Sequence, residues 1–162
     1  MTHTILDKLG RTMLIGSGAI GTCLRRAGGR SDEPVELLNL RQPDTVKNLH
    51  AAYRRAGSHI LVTNTFAANA LVLGDAGVDE MCEDVNRAGV ALAREAGGAD
   101  GLVCASVGPL GLGLRLEDYP SGALEDIYRR QCHALREADA ILLETFVELR
   151  EARAALVAAS DT

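Results

Sequence analysis

Tryptophan is absent from the 162-residue chain, and phenylalanine and tyrosine together make up only 3% of it. A core here cannot be built around large rings. It must be closed by Leu, Val, Ile and Ala, which suits helices packed tightly on a sheet of small and branched side chains. Positive charge is also short: 17 basic residues face 22 acidic ones, for a formal charge of −5. That balance lacks the basic footprint of a nucleic-acid binder, so no nucleic-acid partner is expected. No apolar run approaches the roughly 20 residues of a membrane span, and no membrane partner is expected either. The start, "MTHTILDKLG", has no cationic stretch followed by an apolar one, so no signal peptide is expected and a cytoplasmic setting is.

Cysteine is limited to Cys23, Cys82, Cys104 and Cys132, with wide, irregular spacing and no C-x-x-C. A disulfide framework is not expected from such a pattern; reduced, mostly buried thiols are. The pair Cys132–His133 invites a metal reading. Neighbours on a helix diverge by about 100°, and structural zinc takes four N or S ligands, so no zinc site is expected within this chain.

What is present is an alternation of short apolar runs and amphipathic segments. Strands are predicted at 11–15 ("RTMLI"), 59–66 ("HILVTNTF"), 101–108 ("GLVCASVG") and 139–146 ("DAILLETF"). Helices are predicted at 44–57, 79–98, 122–138 and 147–160. The first has Val46, Leu49 and Tyr53 on one face and Pro43 just ahead of it; the second has Asp79 as its expected N-cap and a Gly pair as its stop. Unbroken apolar strands between amphipathic helices mean an α/β fold with a parallel sheet covered by helices. Right-handed crossovers then bring every strand C-terminus to one rim. Residues 1–162 are expected to form one domain of four β-α units. Long Gly- and Pro-rich connections follow the first and third strands, "RRAGGRSDEPVELLNLRQP" and "VGPLGLGLRLEDYPSG".

The stretch "IGSGAIGT" holds G-x-G-x-x-G at Gly16, Gly18 and Gly21. A dinucleotide fingerprint needs those glycines to open a helix and an acid at the end of the second strand about 20 residues on. Here "AIGTCLRRAGG" allows only a short helical turn. Asp32 and Glu36 have the right distance but fall in a loop. No dinucleotide cofactor is expected; the glycines serve a sharp turn or a close backbone approach.

The strand ends are more informative. Ser17 and Thr22, Asn64 and Thr65, Ser106, and Glu144 and Thr145 are small or polar groups brought to one rim; of these Ser17, Asn64, Thr65, Ser106 and Glu144 are the candidate site residues. Glu144 closes an apolar strand, where burying an unpaired carboxylate is costly. It therefore pairs with a cation, caps a helix start, or binds a ligand amine.

In this order the strand ends resemble the homocysteine S-methyltransferase family, which includes betaine–homocysteine methyltransferases and the homocysteine module of cobalamin-dependent methionine synthase. "SGAIGT" is similar to the family's D-G-A-M-G-T. "ELLNLRQPDTVKNLHAAYRRAGSHILVTNTFAAN" follows the family pattern closely, as do "SVGPLG" and "ADAILLETF". The resemblance implies methyl transfer to the homocysteine thiol to give methionine, on a (βα)8 barrel with its site at the strand C-termini. This chain corresponds to the N-terminal half, four β-α units of the eight, expected to be completed by association as a homodimer or with a second chain. It ends at "AASDT", about where a fifth strand would begin. The resemblance gives the candidate site residues a substrate-binding role: it places Glu144 where the family's glutamate binds the substrate amino group, and puts Ser17 where the family has an aspartate. Family zinc is held by three cysteine thiolates on the sixth and eighth strands, outside the matched half. None of the four cysteines inherits that role, so no bound zinc and no methyl transfer by the isolated chain are expected. The alternative is a non-catalytic half-barrel that binds a small molecule or self-associates.

Overall fold

A computed structural model describes residues 5–111 and 114–162. The first four residues of the N-terminus, and Leu112 and Gly113 of the long connection after the third predicted strand, lie outside the described residues. Eight α-helices occur among the described residues: α1 (Ile5–Lys8), α2 (Gly21–Arg26), α3 (Leu38–Arg41), α4 (Pro43–Arg55), α5 (Ala70–Asp75), α6 (Cys82–Gly97), α7 (Ser121–Ala134) and α8 (Leu149–Ser160). The strands are β1 (Ile60–Val62), β2 (Leu102–Val107) and β3 (Ala140–Leu143). They form one sheet in the order β1-β2-β3, parallel throughout, with Val62 beside Cys104 and Val107 beside Leu143. The helix between each pair carries the crossover, as parallel pairing requires.

The first predicted strand is corrected. Residues 11–14 join no ladder, and the segment meets β1 only at an isolated parallel bridge, Gly16 to Ile60. Ile15 O accepts the Ile60 amide and Ser17 N–H donates to Ile60 O. The next rung would send the Val62 amide to a main-chain carbonyl; Ser17 Oγ accepts it instead, at 2.9 Å. A side-chain hydroxyl in place of the carbonyl ends the ladder. The same device shortens β1. Thr63 Oγ1 accepts the Ser106 amide at 3.1 Å, which frees residues 64–66 to turn away from the sheet.

Each long helix buries one stripe. On α6 the buried positions are Cys82, Val85, Asn86, Gly89, Val90, Ala93 and Gly97, a 3.6-residue period facing the sheet. Tyr128 and Cys132 on α7, Leu135 just past its end, and Ala154, Ala155 and Ala158 on α8 close the same core over Leu61, Val103, Ala105 and Val107. Asp79 is not the cap expected of it: residues 79–81 form a 3-10 turn, and α6 starts at Cys82. The chain leaves α4 through Gly57 at φ +102°, and the expected stop of α6 forms at Gly98 with φ +65°, backbone values that other residues rarely take. At the opposite, N-terminal end of the sheet, Asp139 accepts both the Val103 amide at 2.6 Å and Arg94 Nη1 at 2.7 Å. That pair ties α6 to the start of β3.

One buried group carries a pH liability. His50 on α4 is fully enclosed, and neither ring nitrogen has a hydrogen-bond partner. Burial alone depresses its pKa from the usual 6.5 to about 4. The folded state holds this ring neutral while the unfolded chain protonates it near pH 6.5, so the unfolded state binds more protons between those values. Stability is complete above about pH 6.5 and falls by about 3 kcal/mol as the pH drops to about 4. Urea unfolding from pH 7 to pH 4.5 is expected to show a steeper loss for the wild type than for His50→Leu. Equal slopes would dismiss the histidine as the cause.

Candidate functional site

The C-terminal rim of the sheet is assembled from side chains that replace main-chain hydrogen bonds. Asn64 and Thr65 leave β1 and are enclosed, at 3% and 0% exposure. Asn64 Nδ2 donates to Val35 O and to Asn39 Oδ1, both at 3.0 Å, while Asn39 Nδ2 returns a bond to Asn64 O at 2.8 Å. Thr65 Oγ1 donates to Ser106 O at 2.7 Å, and Gln131 Nε2 donates to Thr65 O at 2.8 Å. These two residues line the base of the rim: Asn64 Nδ2 and O, and Thr65 Oγ1 and O, have partners inside the protein.

Ser106 and Glu144 are brought into direct contact. Ser106 Oγ donates to Glu144 Oε1 at 2.6 Å, the short distance of a hydrogen bond to an ionised carboxylate. Glu144 N–H donates to Val107 O at 3.1 Å, one last rung beyond β3. The next residue, Thr145, has φ +67°. A β-branched residue in the left-handed region is strained, and such strain collects where a side chain must be aimed. Of the three roles open to Glu144, two are not met among the described residues. It forms no ion pair there, and α8 begins only at Leu149 with no side-chain cap. A half-buried carboxylate held through one oxygen remains at the rim.

Ser17 lies on the far side of β1, its hydroxyl engaged by the Val62 amide. Glu36, weighed from the sequence only as the acid of a dinucleotide fingerprint, has a structural role. It is buried, and its Oε1 accepts the Ala67 amide at 3.0 Å, fastening the loop after β1. Burial raises its pKa above the usual carboxylate range. Its signal was available: a carboxylate inside the apolar run "VELLNL", the argument that singled out Glu144. Asp32, the other acid near the glycine run, pairs with Arg30 on the surface. Gly18 has a packing reason, because a Cβ there would lie 3.1 Å from Tyr53 Oη. Neither finding calls for a dinucleotide.

The described residues do not fit a zinc ion. Among the described residues no group of three or more His, Cys, Asp or Glu side chains converges to hold a metal. Cys132 is buried, while the His133 beside it is exposed against Arg136. Cys82 Sγ donates to Ala68 O at 3.3 Å. Burial pushes the Cys132 thiol up to about 11, and burial with the nearby Glu144 and Asp139 charges pushes the Cys104 thiol up to about 11. Among the described residues neither thiol has beside it the further ligands that a zinc ion takes.

Comparison with known proteins agrees with this geometry. The sequence profile described as homocysteine S-methyltransferase matches residues 14–162. The methionine synthase of Mycobacterium tuberculosis is 32% identical over 167 residues, covering 94% of this chain and 14% of that protein. Among solved structures, the metallated form of the homocysteine methyltransferase MmuM from Escherichia coli is 26% identical with a TM-score of 0.78, over 96% of this chain and 61% of that one. The oxidised form of MmuM is also 26% identical, with a TM-score of 0.80, over 98% and 61%. The chain therefore spans about one seventh of that methionine synthase and about three fifths of MmuM. Among the described residues no helix is long and apolar enough to cross a membrane.

Proposed function

We propose, starting from the fact that this chain belongs to the homocysteine S-methyltransferase family, that it supplies the amino-acid-binding half of a site where a methyl group passes to homocysteine. The product of that transfer is methionine. One observation carries the reading. Glu144 is a carboxylate at the C-terminal rim of a parallel sheet, fixed by Ser106, with no cation bound to it among the described residues. A substrate ammonium is the partner that such a group lacks. Asn64 and Thr65 set the floor beneath it, and Ser17 bounds the rim on the β1 side.

The residues limit what this chain can do by itself. The homocysteine thiol is mostly protonated at neutral pH and must lose that proton before it attacks a methyl group. Among the described residues no group of three or more His, Cys, Asp or Glu side chains is gathered to hold a metal that would take it. Methyl transfer is therefore assigned to an assembly in which further strands bring thiolate ligands. The fold points to the same need. The outer edge of β3 has no neighbouring strand among the described residues, and Met13, Ile15 and Leu142 are exposed on the sheet's margins. Parallel edges of this kind invite pairing. In this reading residues 1–162 form one half-barrel of four β-α units, its first unit represented by the bridged segment at Gly16, completed by a second copy or a second chain. Four unpaired cysteines suit a reducing, cytoplasmic setting. The absence of a thiolate cluster among the described residues favours one alternative, a non-catalytic half-barrel that self-associates.

Calorimetry tests the amine site. L-homocysteine is expected to give a saturable heat, and its deaminated analogue 4-mercaptobutyrate none. Equal heats, or none with either, would remove the reading. Light scattering at micromolar concentration is expected to show a dimer; a stable monomer would remove self-association.

A further inference from the structure

Two residues beyond Ser106 is Gly108, and two beyond Glu144 is Phe146. One side chain touches both. Tyr128, fully buried on α7, has its hydroxyl 3.3 Å from Gly108 O and its ring 6.0 Å, centroid to centroid, from that of Phe146. The same hydroxyl donates to Glu151 Oε1 at 3.0 Å. Glu151, on the first turn of α8 and 5% exposed, also accepts the Leu110 amide at 2.7 Å. Burial and the adjacent Glu151 hold the Tyr128 phenol protonated, so it remains a donor. Gly108 in turn donates to Phe66 O at 2.9 Å, and the Phe66 ring occupies the space a Cβ at Gly108 would need. The segments leaving β2 and β3 thus meet at one buried phenol–carboxylate pair, and the segment leaving β1 joins them through Gly108.

A buried carboxylate is costly unless its hydrogen bonds are met. Glu151 has two donors, one from the segment after β2 and one from α7. That arrangement is excessive for holding two helices together, which the apolar contacts between α7 and α8 already do. It does define where the chain runs after Ser106, and through Phe146 where it runs after the strained Thr145.

We propose that Tyr128 and Glu151 are positioning residues for Glu144: together they fix the two post-strand segments whose separation sets the Ser106–Glu144 hydrogen bond. The inference rests on the amine-binding role of Glu144 and adds the device that aims it.

The test uses Tyr128→Phe, Glu151→Leu and Glu151→Gln in the full chain. Amide hydrogen exchange is expected to quicken at least tenfold at Gly108, Leu110 and Glu144 in Y128F and E151L, while Val62 and Val90 keep their wild-type protection. E151Q, which retains an acceptor oxygen, is expected to restore most of it. A role confined to stability would quicken all five amides together, and that result overturns the proposal. So does local protection unchanged in Y128F, the variant that decides the matter where E151L does not fold. Calorimetry with L-homocysteine adds a second readout: affinity is expected to drop about tenfold in Y128F, the effect of one lost hydrogen bond. Exchange confined to the post-strand segments, with no homocysteine bound even by the wild type, rejects the amine site and leaves the brace supported by the exchange data. Homocysteine bound equally by wild type and Y128F rejects the brace and leaves the amine site standing.

Discussion

Glu144→Gln is expected to weaken L-homocysteine binding about a hundredfold, because truncating one partner of a buried charge pair costs 2–5 kcal/mol or more, roughly a factor of 30 and upward. Glutamine is nearly the same size and keeps an oxygen to accept the Ser106 hydroxyl. What it loses is the charge. If Glu144 served only to receive Ser106 Oγ at 2.6 Å, the amide would do nearly as well and affinity would stay at the wild-type value. The substitution therefore separates an electrostatic role from a structural one, which an alanine cannot do. Ser106→Ala is expected to be milder, about tenfold, since it releases the carboxylate without discharging it. Neither change removes a packed apolar group, so the unfolding midpoint is expected to move little. Calorimetry and urea unfolding on the same preparations check both halves of the expectation. Wild-type affinity in E144Q would falsify the ammonium assignment.

A large loss of stability is expected from Gly89→Ala. Gly89 faces the floor of the rim from the middle of α6. A Cβ there would fall 2.6 Å from Thr65 Cγ2 and 2.8 Å from Asn39 Nδ2. Neither neighbour is free to retreat. Asn39 Nδ2 bonds both Asn64 O and Val85 O, at 2.8 and 3.0 Å, and Thr65 is locked to Ser106 and Gln131. Alanine is the better helix former by about 1 kcal/mol. Against that stand overpacking at about 1–3 kcal/mol and the disturbance of at least one buried hydrogen bond at about 1–3 kcal/mol. A net loss of about 3 kcal/mol is expected, a fall in melting temperature of roughly 10 °C for a chain of this size. Gly122→Ala on α7 is the control: a Cβ there meets nothing within 4 Å, so the propensity gain acts alone. If G89A melts with G122A or above the wild type, the contact between α6 and the floor is looser than the packing shows.

Both predictions depend on residues whose roles differ in how far they were legible. Glu144 stood out because a carboxylate ends an apolar strand, a purely local oddity. Its contact with Ser106 followed from the parallel order of the strands, which brings residue 106 and residue 144 to one rim. Asn64 and Thr65 were legible as rim residues. That their polar atoms turn inward was not, because the partners Val35, Asn39, Ser106 and Gln131 lie 25 to 66 residues away. Glu151 was missed, and of Glu36 only the dinucleotide role was weighed. Both sit in or beside helical turns, where a carboxylate reads as an exposed charge until the opposing amide is known.

The sequence by itself determined the layering of this protein. Three of the four apolar runs became paired strands, and with the amphipathic helices between them they specify a parallel α/β arrangement, because burial period is a property of each segment alone. Tertiary structure decided where the ladders stop. Ser17 and Thr63 end them by offering a hydroxyl to an amide on the neighbouring strand. Whether a hydroxyl or a carbonyl takes that proton depends on register and on the direction in which the chain leaves the sheet. Those are set by packing across the whole fold, and no single segment carries them.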